Sequence, residues 1–280
     1  MHTWRWLQSG PGDPAYNMAV DEAILIAHSE GKVPPTLRFY GWKPATLSIG
    51  YFQKAEKDID IPAVREQGLG FVRRATGGRA VLHDSELTYS IIVSEDYPGL
   101  PKSVTEAYRV LSQGLLNGFI HLGLDAHMVN LASEEEKAKY DSMGSSACFD
   151  SPSWYELVVE GRKIAGSAQM RHRDTVLQHG SILLDLDAKQ LFSLLKFRTE
   201  ALRERLEKSF ESKAVAINEL LRDRGMPSVT LKQVEAAFHQ GIAEGMNVRL
   251  EPGELTEEEE ELAQQLVKEK YGTDEWNFRR

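Results

Sequence analysis

Cysteine is almost absent from this sequence, since Cys148 is the only one among 280 residues. A single thiol cannot form an internal disulfide, which fits a protein of a reducing compartment; an extracellular protein without disulfides is the alternative. The first ten residues lack the apolar stretch of a signal peptide, and no apolar run reaches membrane-spanning length. The sequence therefore predicts a cytoplasmic protein that does not enter a membrane.

Basic residues are also in deficit: 33 Lys and Arg stand against 42 Asp and Glu, which gives a formal net charge of −9. This balance argues against bulk binding of nucleic acid. Hydrophobic residues make up 41% of the chain and charged residues 27%, as in ordinary soluble globular proteins. We expect a single domain over residues 1–280 with a sizeable core.

Several familiar site motifs are missing as well. Neither Cys-x-x-Cys nor His-Glu-x-x-His occurs, which disfavours a metal site. No Gly-x-Ser-x-Gly elbow of a serine hydrolase is found. The glycine pair Gly77-Gly78 is not followed by the Gly-Lys-Ser/Thr of a phosphate-binding loop. These absences leave the lone thiol as the main candidate for chemistry.

Helix and strand patterns follow a clear order along the chain. Asp13-Pro14 predicts the start of an amphipathic helix, and capping boxes beginning at Ser103, Thr230 and Thr256 predict the starts of others. Short β-rich runs recur until about residue 186, and the chain is mostly helical from about residue 188 onward. This order predicts an α+β fold in which mixed β-sheets are covered by helices.

Two local features carry further expectations. Asn17 and Asp21, four residues apart on the first helix, are predicted to lie on a solvated polar face. A hairpin turn at Glu160-Gly161-Arg162 is predicted to join one strand to another that runs over residues 163–170.

Cys148 follows a polar segment, residues 131–147, and is flanked by Ser, Asp and Pro rather than by apolar residues. A cation near the thiol would favour the thiolate, the form that attacks acyl groups. Lys163 opens the predicted strand and is a candidate for that cation, although a lysine at a strand start is typically a surface residue. Gly166, further along the strand, leaves room beside it for an extended ligand.

The segment from Phe71 to Asp84 is the richest in potential ligand contacts. The pair Gly77-Gly78 lies between two predicted strands, where glycine lets backbone approach a ligand. Three arginines of the segment, Arg73, Arg74 and Arg79, carry forked donors suited to oxygen atoms, although a hairpin with solvated arginines has the same composition.

Two histidines accompany these groups. His83 and Asp84 are adjacent on a strand and so point to opposite faces, which argues against a direct His–Asp pair. We interpret both His83 and His179 as structural or substrate-contacting residues rather than as catalytic ones.

Taken as an ordered set, four segments resemble the catalytic domain of the lipoate-protein ligase and octanoyltransferase superfamily, which also includes biotin protein ligases. The segments are residues 17–23, 73–84, 161–166 and 214–220. Within the superfamily, residues 146–156 and 178–187 are similar to its octanoyltransferase branch. The resemblance places a catalytic core at residues 33–248 and a C-terminal helical extension, packed on it, at residues 249–280.

The resemblance also implies roles for individual residues. It assigns Cys148 as the nucleophile and Lys163 as the active-site lysine. The substrate-binding set it suggests, together with the residue readings above, comprises Arg73, Gly77, Gly78, Arg79, His83, Gly166 and His179. Arg79 stands where the ATP-dependent ligases of the superfamily usually have a third glycine, so its side chain should crowd a bound adenylate.

The implied reaction transfers octanoyl from octanoyl-acyl carrier protein to a lysine of a lipoyl domain, such as that of the glycine cleavage H protein. The implied enzyme acts as a monomer without cofactor or metal. Arginines at 73, 74, 171 and 173 are predicted to attract acidic carrier domains. The alternatives are an ATP-dependent lipoate-protein ligase, an amidotransferase that moves octanoyl between lipoyl domains, and a carrier-docking module with a structural cysteine.

Overall fold

The structure, a computed structural model, describes residues 2–130 and 155–279. Its strands are β1 (His2–Gly12), β2 (Thr36–Trp42), β3 (Thr46–Ile49), β4 (Gly70–Arg73), β5 (Val81–His83), β6 (Glu86–Ser94), β7 (Ala126–Asn130), β8 (Tyr155–Val159), β9 (Arg162–Lys163), β10 (Ala165–His172), β11 (Thr175–Leu183) and β12 (Val248–Pro252).

The helices are α1 (Pro14–Ser29), α2 (Ala55–Asp58), α3 (Ile61–Glu66), α4 (Val104–His121), α5 (Ala188–Ser193), α6 (Glu200–Lys213), α7 (Ile217–Asp223), α8 (Leu231–Met246), α9 (Glu257–Leu266) and α10 (Asp274–Asn277). A π-helical turn, Val267–Tyr271, joins α9 to α10. Within the two described ranges, every helix is too short or too polar to cross a membrane.

Three sheets organise these elements. The largest has the order β10-β11-β6-β2-β1-β12, in which β1 runs parallel to both of its neighbours and the other pairs are antiparallel. Two three-stranded sheets have the orders β4-β3-β5 and β7-β8-β9. Helices α4 and α8 pack against each other, and their apolar faces join the large sheet in one core. The α+β fold with mixed sheets and covering helices is confirmed.

All four predicted helix starts are confirmed, but one of the three predicted capping boxes is wrong. Asp13 accepts hydrogen bonds from the Ala15 and Tyr16 amides at the start of α1, and complete capping boxes begin α8 at Thr230 and α9 at Thr256. Ser103 precedes α4 but makes no capping hydrogen bond. The capping box there is wrong because the Glu106 carboxylate instead accepts hydrogen bonds from Tyr155 and Arg109.

The hairpin at residues 160–161 forms as predicted, with positive φ angles of 51° at Glu160 and 76° at Gly161. The single strand expected over residues 163–170 is wrong, because the chain changes sheets within it. Lys163 pairs with Val158 in the β7-β8-β9 sheet, whereas Ala165 pairs with Ile182 in the large sheet. The sheets are therefore joined covalently through the one residue between β9 and β10.

Two strands that pair with each other over a long sequence distance were not predicted. Strand β1 lies before the expected core of residues 33–248, and β12 starts at its last residue, yet β1 pairs with β12 and also with β2. The expected helical extension therefore contributes an edge strand to the large sheet. It also covers α1, because α9 packs on that helix.

Candidate active site

A small cavity with a mainly apolar exposed lining opens between the large sheet and the β4-β3-β5 sheet. Strands β10 and β11 approach closely at its wall: a Cβ on Gly180 would stand 2.3 Å from the Gly166 carbonyl oxygen, so only glycine fits there. The cavity is lined by Met18, Tyr40, Trp42, Arg74, Val81, His83, Thr88, Gly166, Ser167, Ala168, His179, Gly180 and Ser181.

His83 contributes one wall of the cavity and is only 4% exposed. Its Nδ1 lies 2.6 Å from Glu86 Oε1, and its Nε2 lies 2.6 Å from Ser48 Oγ. The ring stacks on Trp42 with centroids 4.3 Å apart. As expected from strand alternation, its carboxylate partner is Glu86 and not the adjacent Asp84. Glu86 also accepts hydrogen bonds from Thr88 and Ser181, two further residues of the cavity lining.

His179 lies on β11, where it is 5% exposed. Its Nε2 is 2.6 Å from Thr76 Oγ1, and its Nδ1 makes a longer contact of 3.4 Å with Asp21. Burial lowers the pKa of His179 below its usual value more than the Asp21 hydrogen bond and charge raise it. The imidazole is therefore neutral at pH 7, and it accepts a hydrogen bond from the Thr76 hydroxyl if Nδ1 carries the proton.

Asp21 was expected on a solvated helix face, and that expectation is wrong. Asn17 and Asp21 are 0% and 2% exposed. The Arg38 guanidinium enters from β2 and donates to Asp21 Oδ1 at 2.8 Å and to Asn17 Oδ1 at 2.9 Å. Tyr40 and Ser90 also donate to Asp21. Burial alone would raise the pKa of Asp21, but the Arg38 charge and its other donors hold that pKa below its usual value.

Arg74 anchors the loop that contains the glycine pair. Its Nη1 donates to Ser48 Oγ at 2.6 Å, and its Nη2 donates to the carbonyls of Gly77 at 3.2 Å and Arg79 at 2.9 Å. Gly78 has a φ of +96° and its carbonyl packs against Gly50. Arg79 itself is half-buried. Hydrogen bonds from Arg74 to these carbonyl groups thus hold the loop in place.

Arg73 faces a different part of the molecule. Its fully buried guanidinium donates to the carbonyls of residues 50, 51 and 53 and to those of Trp276 and Asn277. It is not among the described residues that line the cavity. Its predicted contact with substrate stays a prediction, and the geometry favours a structural role.

The structure does not support the prediction that all four arginines attract acidic carrier domains by their charge. Arg73 and Arg74 are buried, so neither presents its charge to a partner. Arg171 forms an ion pair with Glu95 at 2.9 Å, and Arg173 lies 3.6 Å from Glu30. The expectation is wrong for the first two residues because burial in hydrogen-bond networks removes them from the surface.

Lys163 is buried, contrary to the usual place of a lysine at a strand start. Its Nζ lies 3.0 Å from both carboxylate oxygens of Glu156, a residue that is itself 1% exposed. Gly166, three residues further on, belongs to the cavity wall. A buried lysine–carboxylate pair so close along the chain to a cavity wall is a candidate for a functional group.

Cys148 lies outside the described residues, so its predicted approach to Lys163 stays a prediction. Glu156, Glu86 and Asp21 were missed as partners by the sequence reasoning. The hairpin register offered a signal for the first of them: Lys163 pairs with Val158, and Glu156 is two residues along the same face of β8. In residues 2–130 and 155–279, no group of three or more His, Cys, Asp and Glu could hold a metal ion.

The fold and this site belong to a class of protein that a match to a family model identifies. The model of the lipoyl protein ligase A/B catalytic domain matches residues 13–243, and the chain belongs to that family. Solved structures agree. A bipartite lipoate protein ligase of Thermoplasma acidophilum superposes with a TM-score of 0.81 at 28% identity, covering 99% of this chain and 97% of that one.

Curated relatives that match over their full length show a more specific similarity within the family. Octanoyltransferase LipM of Brevibacillus brevis is 62% identical over 280 residues and covers both chains completely. Octanoyltransferase LipM of Bacillus subtilis is 56% identical over 278 residues, 99% of each chain. A lipoate-protein ligase A bound with ATP superposes with a TM-score of 0.77 at 28% identity, over 99% of both chains. The chain is thus much more similar to the octanoyltransferases than to this ligase.

Proposed function

We propose that this protein transfers octanoyl from octanoyl-acyl carrier protein to a lysine of a lipoyl domain, through a thioester on Cys148. Octanoyl transfer in lipoate biosynthesis is the activity of its full-length relatives, at 52% to 62% identity, and it is the activity of this chain. The thioester, the carrier and the acceptor are proposals. The acceptor we propose is the glycine cleavage H protein, and we place the enzyme in the cytoplasm as a monomer.

The observation that carries the mechanism is the buried Lys163–Glu156 pair, three residues along the chain from Gly166 in the cavity wall. A lysine held at 3.0 Å from a carboxylate and three residues from the cavity wall can stabilise a nearby thiolate as a cation. The mainly apolar cavity suits the octanoyl chain, since each buried methylene contributes about 0.8 kcal/mol.

The proposed first step is attack of the Cys148 thiolate on the carbonyl carbon of the octanoyl thioester. A new C–S bond forms, the bond to the carrier sulfur breaks, and the carrier thiolate takes a proton from Lys163. In the second step the neutral acceptor amine attacks the acyl-enzyme. A C–N bond forms, the C–S bond breaks to release the Cys148 thiolate, and the amine proton returns to Lys163. The proton and the thiolate are both regenerated over the cycle.

The ligase alternative requires nucleotide. It has a structural argument in its favour, because this fold superposes on a lipoate-protein ligase A that was crystallised with ATP. Against it stands the half-buried Arg79 at the place where a third glycine is usual in ATP-dependent ligases. An already activated thioester donor needs no ATP.

The test is intact-mass analysis after the protein is mixed with octanoyl-acyl carrier protein in the absence of nucleotide. We expect one octanoyl adduct on the wild-type protein, which a lipoyl-domain acceptor then removes. Cys148→Ala should show neither adduct nor transfer, because the acyl group has no sulfur to bind.

Lys163→Met serves as the second variant and should slow adduct formation by roughly 100-fold or more, since general acid–base groups contribute about 10²–10⁴. Transfer by Cys148→Ala at the wild-type rate would exclude the covalent route. Modification that requires ATP and free lipoate would select the ligase.

A further inference from the structure

The loop of residues 74–79 is held from two sides by buried chains of hydrogen bonds, and each chain runs through a histidine of the cavity wall. Thr76 and Arg74 are the two contact points on the loop. Both chains end at a carboxylate that is 5% exposed or less, Asp21 in one and Glu86 in the other. Neither carboxylate was identified from the sequence as part of the site.

The first chain runs from the loop to helix α1. The Thr76 hydroxyl lies 2.6 Å from His179 Nε2, and His179 Nδ1 lies 3.4 Å from Asp21. Asp21 is fixed by Arg38, which donates at 2.8 Å. Because Asp21 carries a negative charge, it favours the tautomer in which Nδ1 holds the proton. His179 Nε2 is then an acceptor, and the Thr76 hydroxyl must donate to it.

The second chain runs from the loop to strand β6. Arg74 donates to Ser48 Oγ at 2.6 Å, Ser48 lies 2.6 Å from His83 Nε2, and His83 Nδ1 lies 2.6 Å from Glu86. Since the guanidinium can only donate, the Ser48 hydroxyl proton is directed to His83. All three bonds then point from the cation towards the carboxylate.

These directions leave no ring nitrogen of either histidine free for the substrate when the imidazoles are neutral. Each Nε2 accepts from a hydroxyl and each Nδ1 donates to a carboxylate. We propose that Asp21–His179–Thr76 and Glu86–His83–Ser48–Arg74 are positioning chains that hold the glycine loop for octanoyl transfer, and that neither histidine exchanges a proton with the substrate. This inference rests on the proposed function, because the reaction supplies its readout.

Thr76 offers the sharpest test, since its hydroxyl is the only part of the residue that the first chain uses. Thr76→Val keeps the shape and loses that hydroxyl, whereas Thr76→Ser keeps it. We expect Thr76→Val to lower the maximal rate of octanoyl-adduct formation roughly 10- to 100-fold, the range for a misplaced catalytic geometry. Thr76→Ser should recover most of the rate.

The matched control is Thr36→Val, because Thr36 is also fully buried and its hydroxyl bonds to Arg5 and to the Pro34 carbonyl. The control should lose similar thermal stability but keep the rate of adduct formation. Adduct formation by Thr76→Val at the wild-type rate overturns the proposal. If the wild-type protein itself forms no adduct, the proposed function has failed instead.

His179→Gln separates positioning from proton transfer. Glutamine can present an amide oxygen to the Thr76 hydroxyl but cannot take up a proton near neutral pH. If the chain positions the loop, His179→Gln keeps at least about ten times the rate of His179→Ala, and its rate shows no new dependence on pH between about 6 and 8. Equal inactivation of the two variants shows that the imidazole itself reacts and overturns the proposal.

Discussion

Consecutive arginines at the end of β4 serve different parts of the molecule. Arg73 donates to the carbonyls of residues 50, 51 and 53 and of the C-terminal segment, whereas Arg74 donates to Ser48 and to the glycine loop. Neighbouring residues on a strand point to opposite faces, so two adjacent guanidinium groups reach opposite surroundings. One arginine therefore joins the C-terminus to the fold, and the other belongs to the cavity.

The substitution Arg73→Met should lower the free energy of unfolding by about 3 kcal/mol or more, because several buried carbonyls lose a charged donor. Chemical denaturation measures this change. Arg249→Met, at a residue whose side chain is 66% exposed, should stay within about 0.5 kcal/mol of the wild type. A variant of Arg73 that keeps full stability and yet transfers no octanoyl would instead establish the contact with substrate predicted from the sequence.

Residue types in the sequence indicated which groups matter but not always what surrounds them. His83 and His179 were predicted near substrate, and both line the cavity. Helical spacing placed Asn17 and Asp21 on one face correctly, but periodicity does not say what covers a face. The partner is Arg38, a cation inside a buried strand, where propensity gives no reason to expect a charge. Long-range ion pairs of this kind leave little local signal.

Among the elements, the glycine loop depends on its contact with the segment after β3. A Cβ on Gly50 would stand 1.9 Å from the Gly78 carbonyl oxygen, which belongs to backbone and cannot swing aside. A Cβ on Gly77 would meet nothing within 4 Å. Gly50 and Gly77 are thus close in space, but only Gly77 has room for a side chain.

Gly50→Ala should destabilise the protein by about 1–3 kcal/mol, as overpacking does, and should abolish octanoyl-adduct formation because the loop must move. Gly77→Ala is the matched variant and should fold with nearly wild-type stability. Melting temperatures and intact mass check both statements. Normal adduct formation by Gly50→Ala would mean that the loop position does not matter for the reaction.

Local signals predicted the elements better than non-local ones. The starts of α1, α8 and α9 follow from capping side chains within three residues. Strand β1 contains Pro11 and three further turn-favouring residues, and it pairs in parallel with β12, with paired positions 246 residues apart in the sequence. Pairing over that distance is decided by tertiary packing, so sequence patterns did not reveal either strand.

At the scale of the whole molecule, three buried or half-buried histidines make stability depend on pH. Burial lowers the pKa of His28, His179 and His239 below the usual 6.5. Just below pH 6.5 the unfolded chain therefore binds more protons than the folded chain. The free energy of unfolding rises with pH through this window, so stability is lost as the pH falls from 6.5 towards the lowered values.

We expect chemical denaturation to show lower stability at about pH 5.5 than at about pH 7, by no more than about 1.4 kcal/mol per histidine for each pH unit. His179→Gln should make this dependence shallower. His172→Gln, which replaces an exposed imidazole, is the control and should leave it nearly unchanged. A pH dependence that His179→Gln does not alter would show that His179 takes up its proton equally in both states.

The change of sheet between Lys163 and Ala165 has a consequence for the reaction. Lys163, which carries the ammonium group, belongs to the β7-β8-β9 sheet, whereas Gly166 of the cavity wall belongs to the large sheet. Buried Ile164 links the two sheets. A slight sliding of one sheet past the other would change the position of the Lys163 ammonium group relative to the cavity while both sheets stay intact. Enzymes with the same active-site side chains but different packing between these two sheets would then differ in turnover.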